Sequence, residues 1–202
     1  VILVEGGEKY IIRKLIDLYK DELFLDYNNC SLIKVGGKSY FGIYKKMLEK
    51  LGKKVYIIGD YDNLKEEINE YLPQTLLEKL NTIKSVTGGL KAFSEYSTEQ
   101  QEELEEIFKY LKDNNIYILH NGALEDYYNK QEIDRLRQEN SLGKAKEVVA
   151  HYISTILTAD NINNLLVIDN DFKDYVMDII NCISDNSNVI TMNDDDIYDD
   201  LD

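Results

Sequence analysis

The sequence has few of the positive charges with which proteins commonly hold nucleic acid. Its 202 residues contain 23 Lys and Arg against 38 Asp and Glu, a formal net charge of -15 at pH 7. Binding nucleic acid by charge alone requires Lys and Arg that displace phosphate counterions, so this mode is excluded. If the protein acts on nucleic acid, a divalent metal must neutralise part of the site, or a partner must supply basic surface.

Cysteine, tryptophan, proline and long apolar runs are also scarce or missing. The two cysteines, Cys30 and Cys182, lie far apart without metal-ligand spacing, so we expect reduced thiols in a cytoplasmic protein. No apolar run approaches the length of a membrane span, and no membrane association is expected. Hydrophobic residues still make up 44% of the chain, which predicts a globular domain. Residue 1 is Val inside a predicted strand, and we therefore expect a larger N-terminal part to precede this fragment.

Strand and helix patterns alternate through the first part of the chain. Apolar runs predict strands at 1–4, 31–35 and 54–58, and apolar residues at helical spacing predict helices over 8–23 and 39–52. This β-α-β-α-β order with short connections predicts an α/β fold with a parallel sheet and right-handed crossovers.

Helical patterns dominate the remainder. A helical insertion of about residues 64–115, divided by Pro73, precedes a fourth strand at 116–119, and Thr98 with Gln101 is typical of a capping box. Further helices are predicted over 124–136, after Gly143, and over 161–183 as one helix. The predicted organisation is a catalytic domain at 1–157, a helical C-terminal extension at 158–192 and a solvated acidic tail at 193–202.

Carboxylates follow two of the predicted strands directly. Glu5 ends the first strand, and Asp60 and Asp62 follow the third. Ligands collect at the carboxyl ends of parallel strands, and carboxylates gathered there repel one another unless a hard cation such as Mg²⁺ lies between them. Taken singly, Glu5 could be an exposed loop acid and the Asp pair a polar turn; together they favour a metal site.

A third acidic position follows the fourth strand. Glu125 and Asp126 could be first-turn acids favoured by the helix dipole, or could serve a second metal at the same rim. His120, which closes the fourth strand, is expected to be structural rather than a general base.

The order of these motifs resembles a TOPRIM domain, and among TOPRIM groups the OLD (overcoming lysogenization defect) nucleases. The resemblance covers residues 1–62 well and 116–157 moderately. It implies a Rossmann-like fold with about four parallel strands, flanked by helices, with a helical insertion and a helical C-terminal extension. The motifs that carry it are Val4-Glu5-Gly6, Lys34-Val35-Gly36-Gly37-Lys38, Asp60-Tyr61-Asp62 and Asn121-Gly122-Ala123-Leu124-Glu125.

The resemblance also implies roles for individual residues. Glu5, Asp60 and Asp62 would be ligands of Mg²⁺ or Mn²⁺, and Glu125 would serve a second ion. Lys146, with Ala150 four positions on, fits the family's late-helix lysine and could stabilise negative charge on the attacked phosphate. The alternative for Lys146 is a solvated helix lysine.

One position departs from the family pattern. The family usually has a second acid four residues after the first glutamate, where this chain has Lys9. Either Glu8, one place early, substitutes as a metal ligand, or the site keeps fewer ligands.

As a whole, the resemblance implies a metal-dependent DNA endonuclease that acts in anti-phage defence. An N-terminal ABC-type ATPase would precede this part in a homo-oligomeric protein and would supply DNA-binding surface. The alternative is a catalytically weak TOPRIM-like module that acts through protein contacts.

Overall fold

The computed structural model describes residues 1–143, 145–167 and 171–190, with side chains as far as residue 185. Within these residues, four β-strands and nine α-helices follow one another along the chain. Their order is β1 (Ile2–Val4), α1 (Glu8–Tyr19), α2 (Phe24–Tyr27), β2 (Leu32–Lys34), α3 (Phe41–Lys50), β3 (Tyr56–Gly59), α4 (Gln74–Thr87), α5 (Thr98–Asp113), β4 (Ile116–Ile118), α6 (Lys130–Glu139), α7 (Lys146–Ile156), α8 (Ile162–Leu165) and α9 (Asp171–Ile190).

The four strands form one parallel sheet in the order β2-β1-β3-β4. β1 and β3 are therefore central neighbours, and Val4 pairs with Ile58 near their carboxyl ends. Both strands are buried throughout, as expected for a parallel sheet covered on both faces. The predicted α/β fold with a four-stranded parallel sheet is confirmed.

Side chains of the central strands alternate between two hydrophobic cores, one on each face of the sheet. Ile2, Val4 and Ile58 pack in one core with apolar residues of α1, α7 and α9. Leu3 and Ile57 pack in the other core with residues of α4 and α5. Successive strand residues point to opposite faces, so three-residue strands suffice to join both cores.

Several helix boundaries differ from the sequence prediction. The helix predicted over 8–23 ends at Tyr19, and that predicted over 124–136 is a 3-10 turn, Leu124–Tyr127, followed by α6. The segment predicted as one helix over 161–183 contains the separate helices α8 and α9. Between them, Leu166 makes an antiparallel bridge with Tyr128, and the amide of Val167 donates to the carbonyl of Tyr127 instead of to a helical acceptor.

The insertion is helical as predicted, but its details differ. Two 3-10 turns precede α4, which begins directly after Pro73. The capping box of α5 lies one residue earlier than predicted, because Ser97 rather than Thr98 is the N-cap and Gln100 is its partner. Ser97 has the extended backbone that an N-cap requires, whereas Thr98 is already helical.

The C-terminal helix α9 is part of the main core. Its buried side chains lie in the same cluster as those of β1 and β3, namely Phe172, Tyr175, Val176, Ile179, Ile180 and Ile183. The predicted acidic tail, 193–202, lies outside the described residues. Among the helices described, none is long and apolar enough to cross a membrane.

Candidate active site

The acidic residues singled out in the sequence meet at the carboxyl edge of the sheet. Glu5 directly follows β1 and Asp60 directly follows β3, and these strands are hydrogen-bonded neighbours in register. Glu125 lies in the 3-10 turn after β4, next to β3. We call the set Glu5, Glu8, Asp60, Asp62 and Glu125 the acidic rim.

The turn that carries Asp60 and Asp62 is fixed by hydrogen bonds to its backbone. The amide of Tyr61 donates to the carbonyl of Gly122 in the loop after β4, at 2.8 Å. Asn63 is 1% exposed, and its backbone and side-chain nitrogens both donate to the carbonyl of Asp60, at 3.0 and 2.9 Å. A Cβ on Gly59 would approach Nδ2 of Asn63 to 3.1 Å. A larger residue at the end of β3 would therefore crowd the side chain of Asn63.

Glu8 belongs to this rim and Lys9 does not. Glu8, the first residue of α1, is 7% exposed, and its Oε2 accepts a hydrogen bond from the amide of Gly6 at 2.5 Å. Burial, together with the nearby charge of Glu125, raises the pKa of Glu8. Lys9 is exposed and lines a separate groove of about 580 Å³ on another side of α1. The acid one position early therefore occupies the rim, while its role as a metal ligand stays a prediction.

Asp60 has the most unfavourable surroundings on the rim. Its Oδ1 is buried and has no hydrogen-bond partner among the described residues. Burial is the largest influence on its pKa, followed by the charges of Glu8, Glu5, Glu125 and Asp62, and together they raise it to about 8. A neutralising group next to Asp60 would relieve both the buried oxygen and the like-charge repulsion.

The pKa of Glu5 is shifted by the other carboxylates of the acidic rim. Burial raises it first, and the carboxylates of Glu8 and Asp62 raise it further, while the ammonium of Lys38 lowers it. Glu5 thus faces the DxD motif across the two central strands.

Two lysines flank the carboxylates. Nζ of Lys38, in the loop after β2, lies 2.8 Å from Oδ2 of Asp62 and 3.6 Å from Oε1 of Glu67. Nζ of Lys146, the first residue of α7, lies 3.1 Å from Oε2 of Glu125. Asp62 and Glu125 are thus paired with cations, whereas Asp60 has no ion pair among the described residues.

The acidic rim has the donor chemistry for a hard divalent cation. All its side-chain donors are carboxylate oxygens, the ligands that Mg²⁺ and Mn²⁺ prefer. Within the described ranges, no three His, Cys, Asp or Glu side chains already converge closely enough to hold an ion. Asp62 and Glu125 are engaged by lysines, whereas Asp60 keeps an unpartnered buried oxygen and a raised pKa that a cation would relieve.

Sequence reasoning did not single out two residues that lie beside the acidic rim. Lys38 lies in the Gly-Gly-Lys motif, which could have identified it as a rim cation, whereas Glu67 lies in the insertion without any motif. Asp126 caps its own 3-10 turn by accepting from the amide of Ala123 at 3.1 Å, as a first-turn acid does, and a role at a second metal stays a prediction.

The packing of His120 fits a structural residue. Its ring stacks on Phe108 with 3.8 Å between centroids, and its Nε2 lies 2.7 Å from the hydroxyl of Tyr175. Burial lowers its pKa, which favours the neutral ring.

Comparisons with known proteins agree with this architecture. The family model of the overcoming lysogenization defect protein-like TOPRIM domain matches residues 1–62. The comparison with curated proteins gives no match.

Three solved structures of the C-terminal region of the OLD protein from Xanthomonas campestris pv. campestris have a similar fold. The one phased with platinum is 17% identical, with a TM-score of 0.57, and the likeness covers 94% of this chain and 95% of that one. Those phased with iodine and mercury are 16% identical, with TM-scores of 0.56 and 0.55; the likeness covers 93% and 94% of this chain, and 96% of each of theirs. Residues 1–62 therefore match an OLD-like TOPRIM domain in sequence, and the described chain has the α/β fold of the C-terminal region of an OLD protein.

Proposed function

We propose that the chain is the nuclease part of an OLD-type protein, a Mg²⁺- or Mn²⁺-dependent endonuclease that hydrolyses phosphodiester bonds of DNA. The observation that supports this most strongly is Asp60, a half-buried carboxyl group whose buried oxygen has no partner among the described residues and whose neighbours include four other acids. An unpaired buried charge is costly, and proteins resolve it by pairing or by metal coordination. Such a site on a TOPRIM scaffold favours phosphoryl chemistry.

The carboxylates divide into two groups by position. Glu5, Asp60 and Asp62, at the ends of the central strands, would hold one ion, and Glu125 with Glu8 would hold a second. Bound divalent ions supply charge neutralisation at the scissile phosphate and a water of lowered pKa.

The two lysines can each neutralise a carboxylate of the rim or bind a phosphate oxygen, depending on whether the carboxylate binds a metal ion. Lys38 and Lys146 neutralise Asp62 and Glu125 in the present arrangement. If those carboxylates turn inward to bind cations, each ammonium is released to donate to phosphate oxygens. A positioned cation of this kind stabilises charge that develops during attack.

The wider biological proposal concerns parts outside the described residues. We propose that an N-terminal ABC-type ATPase region and a homo-oligomeric assembly supply the basic surface that holds DNA, since this chain carries a net charge of -15. We also propose a cytoplasmic protein that acts in anti-phage defence.

A second candidate is a catalytically weak TOPRIM-like module that acts through protein contacts. It is favoured by the lack of three ready-made metal ligands in the described part of the chain, and by Lys9 at the family's acid position. This candidate predicts no cleavage with any divalent metal and a stable complex with a protein partner.

Cleavage of supercoiled plasmid by the full-length protein tests the proposal. After treatment with EDTA we expect no activity, and addition of Mg²⁺ or Mn²⁺ restores it. Asp60→Ala should abolish cleavage, whereas Asp113→Ala, which removes an exposed acid at the end of α5, should retain it. Cleavage by Asp60→Ala at the unaltered rate would refute the assignment. Mn²⁺ titration by calorimetry provides a readout of the rim that does not depend on turnover.

A further inference from the structure

A second, smaller cavity adjoins the acidic rim between α6 and α7. It has a volume of about 220 Å³ and an apolar floor that includes Ile133 and Val149. Glu125 belongs to both the acidic rim and this cavity, and its ion-pair partner Lys146 also lines the cavity, so the two sites adjoin. The polar residues that line it are Glu125, Tyr128, Lys130, Asp134, Arg137 and Lys146.

Tyr128 lines this cavity, and its hydroxyl is buried without a hydrogen-bond partner among the described residues. Tyr128 is 5% exposed, and its buried Oη makes no hydrogen bond to any described residue. Leaving a buried hydroxyl unsatisfied costs about 1–3 kcal/mol. Burial, and then the charges of Glu125 and Glu8, raise the pKa of Tyr128, so the hydroxyl keeps its proton and can donate it to an acceptor. An anionic oxygen in the cavity would be such an acceptor.

Arg137 has a guanidinium available at the same cavity. Its one ion pair among the described residues is with Asp134, whose Oδ1 lies 3.7 Å away, beyond hydrogen-bond distance. Arg135 on the same helix differs, because Glu132 and Glu139 both accept hydrogen bonds from its guanidinium. Arg137 thus retains donors that a planar or tetrahedral oxyanion can accept from.

The charges of the cavity favour an anion over a cation. Three cationic side chains, Lys130, Arg137 and Lys146, line it against two carboxylates. Lys130 is 75% exposed and lies 3.4 Å from Asp126, so it adds a mobile charge at the entrance. The remaining donors, from Tyr128 and Arg137, point to a group with several oxygens and a negative charge.

We propose that this cavity binds a backbone phosphate of the DNA strand, next to the phosphate attacked at the acidic rim. The proposal rests on the proposed function, because it takes the substrate of the rim to be DNA. Arg137 donates charge-assisted hydrogen bonds to the phosphate, and Tyr128 donates one once a small shift of its ring exposes the buried hydroxyl. Both are positioning residues that hold the strand in register with Asp60.

Binding of a short fluorescein-labelled duplex to the full-length protein tests this, measured by anisotropy in Ca²⁺ over a series of salt concentrations. Arg137→Gln should weaken binding about tenfold and lower the slope of log K against log salt by about 0.9, the value for one phosphate contact. Tyr128→Phe should weaken binding about fivefold without changing that slope, because it removes a neutral donor. Its melting temperature should not fall, since the lost hydroxyl was unsatisfied. Arg135→Gln, which removes the same charge from the same helix, should change neither quantity.

The outcomes separate the cavity from the proposed function. Equal effects of Arg137→Gln and Arg135→Gln would overturn the phosphate site, because a general charge effect would explain both. If the variants change duplex binding as expected but the duplex is not cleaved in Mg²⁺ or Mn²⁺, the phosphate site is supported and the proposed nuclease activity is refuted. Duplex that is cleaved while Arg137→Gln leaves affinity and salt slope unchanged refutes the cavity alone.

Discussion

The two aspartates of the DxD motif have different surroundings although they are two residues apart. Asp62 has a side chain that is 48% exposed and is paired with Lys38. Asp60 is half-buried, carries a buried oxygen without a partner among the described residues and has a pKa raised to about 8. Removing the charge of Asp60 should therefore relieve its repulsion by the neighbouring carboxylates, whereas removing the charge of Asp62 should break an ion pair.

Asp60→Asn should stabilise the metal-free protein. Between the usual aspartate pKa of 3.8 and about 8, the native state binds more protons than the unfolded state, so wild-type stability falls as pH rises through this window. The asparagine side chain cannot ionise, and the variant should lose most of this decline. Above pH 8 in EDTA we expect a gain of about 1–2 kcal/mol, or roughly 2–8 °C in melting temperature.

Asp62→Asn is the matched control for that measurement. It removes one charge from the same turn, but its surface ion pair contributes only about 0–1 kcal/mol, so its melting temperature should change little or fall slightly. A lower melting temperature for Asp60→Asn than for wild type above pH 8 would contradict the account of the rim.

At the scale of elements, the start of α1 and the start of α7 approach each other closely. A Cβ on Gly7 would lie 2.8 Å from the Cβ of Ala150, below any ordinary contact. This approach brings Glu8 on α1 and Lys146 on α7 to the same rim. The small residue at position 7 thus sets the spacing of two elements that carry candidate site residues.

Gly7→Ala should destabilise the protein by about 1–3 kcal/mol, because overpacking forces the helices apart. Urea unfolding measures this, and Gly6→Ala is the control, since the nearest atom to its Cβ would lie at 3.7 Å. The double variant Gly7→Ala/Ala150→Gly should recover part of the loss, although glycine in α7 itself costs about 1 kcal/mol. Additive losses in the double variant would show that the contact is not the cause.

Element types were more predictable from the sequence than element ends. The three strands of the first 62 residues, and α1 and α3 among their three α-helices, follow from continuous apolar runs and helical spacing. The break between α8 and α9 was not predictable, because its cause is a bridge from Leu166 to a distant residue, Tyr128. Local patterns carry no information about such a long-range partner.

The residues at the rim also differ in whether the local sequence marks them. Glu5, Asp60 and Asp62 were identifiable because each directly follows an apolar strand. Glu67 was not, because it reaches Lys38 from the insertion, and no motif marks it.

At the scale of the whole molecule, the residues that match the family model and the residues that form the hydrophobic core are not the same set. The family model matches residues 1–62, which contain both central strands, whereas the fold likeness covers 94% of the chain. The rest of the core includes α9, whose side chains pack with β1 and β3. The prediction that 1–157 form a domain separate from a C-terminal extension is untested, and this packing argues against their independence.

A chain ending at residue 157 should fail to fold cooperatively. It loses the buried apolar side chains of α8 and α9, each worth about 1.5–3 kcal/mol of burial, and several such losses exceed a typical net stability of about 5–15 kcal/mol. Far-UV circular dichroism in urea measures the transition. A chain ending at residue 190, which keeps α9 whole, is the control and should keep a sigmoidal transition. A sigmoidal transition in the shorter chain would show that the 1–157 unit is autonomous.

Asn63 gives the site a vulnerability that a search restricted to ionisable residues would overlook. It is uncharged and buried, and it holds the carbonyl of Asp60 with two hydrogen bonds. A library that randomises only acids and bases would leave this amide untouched. Natural variants that inactivate the protein are therefore expected at a neutral position as well as at the carboxylates, and an intact set of acids in a relative does not by itself guarantee an intact site.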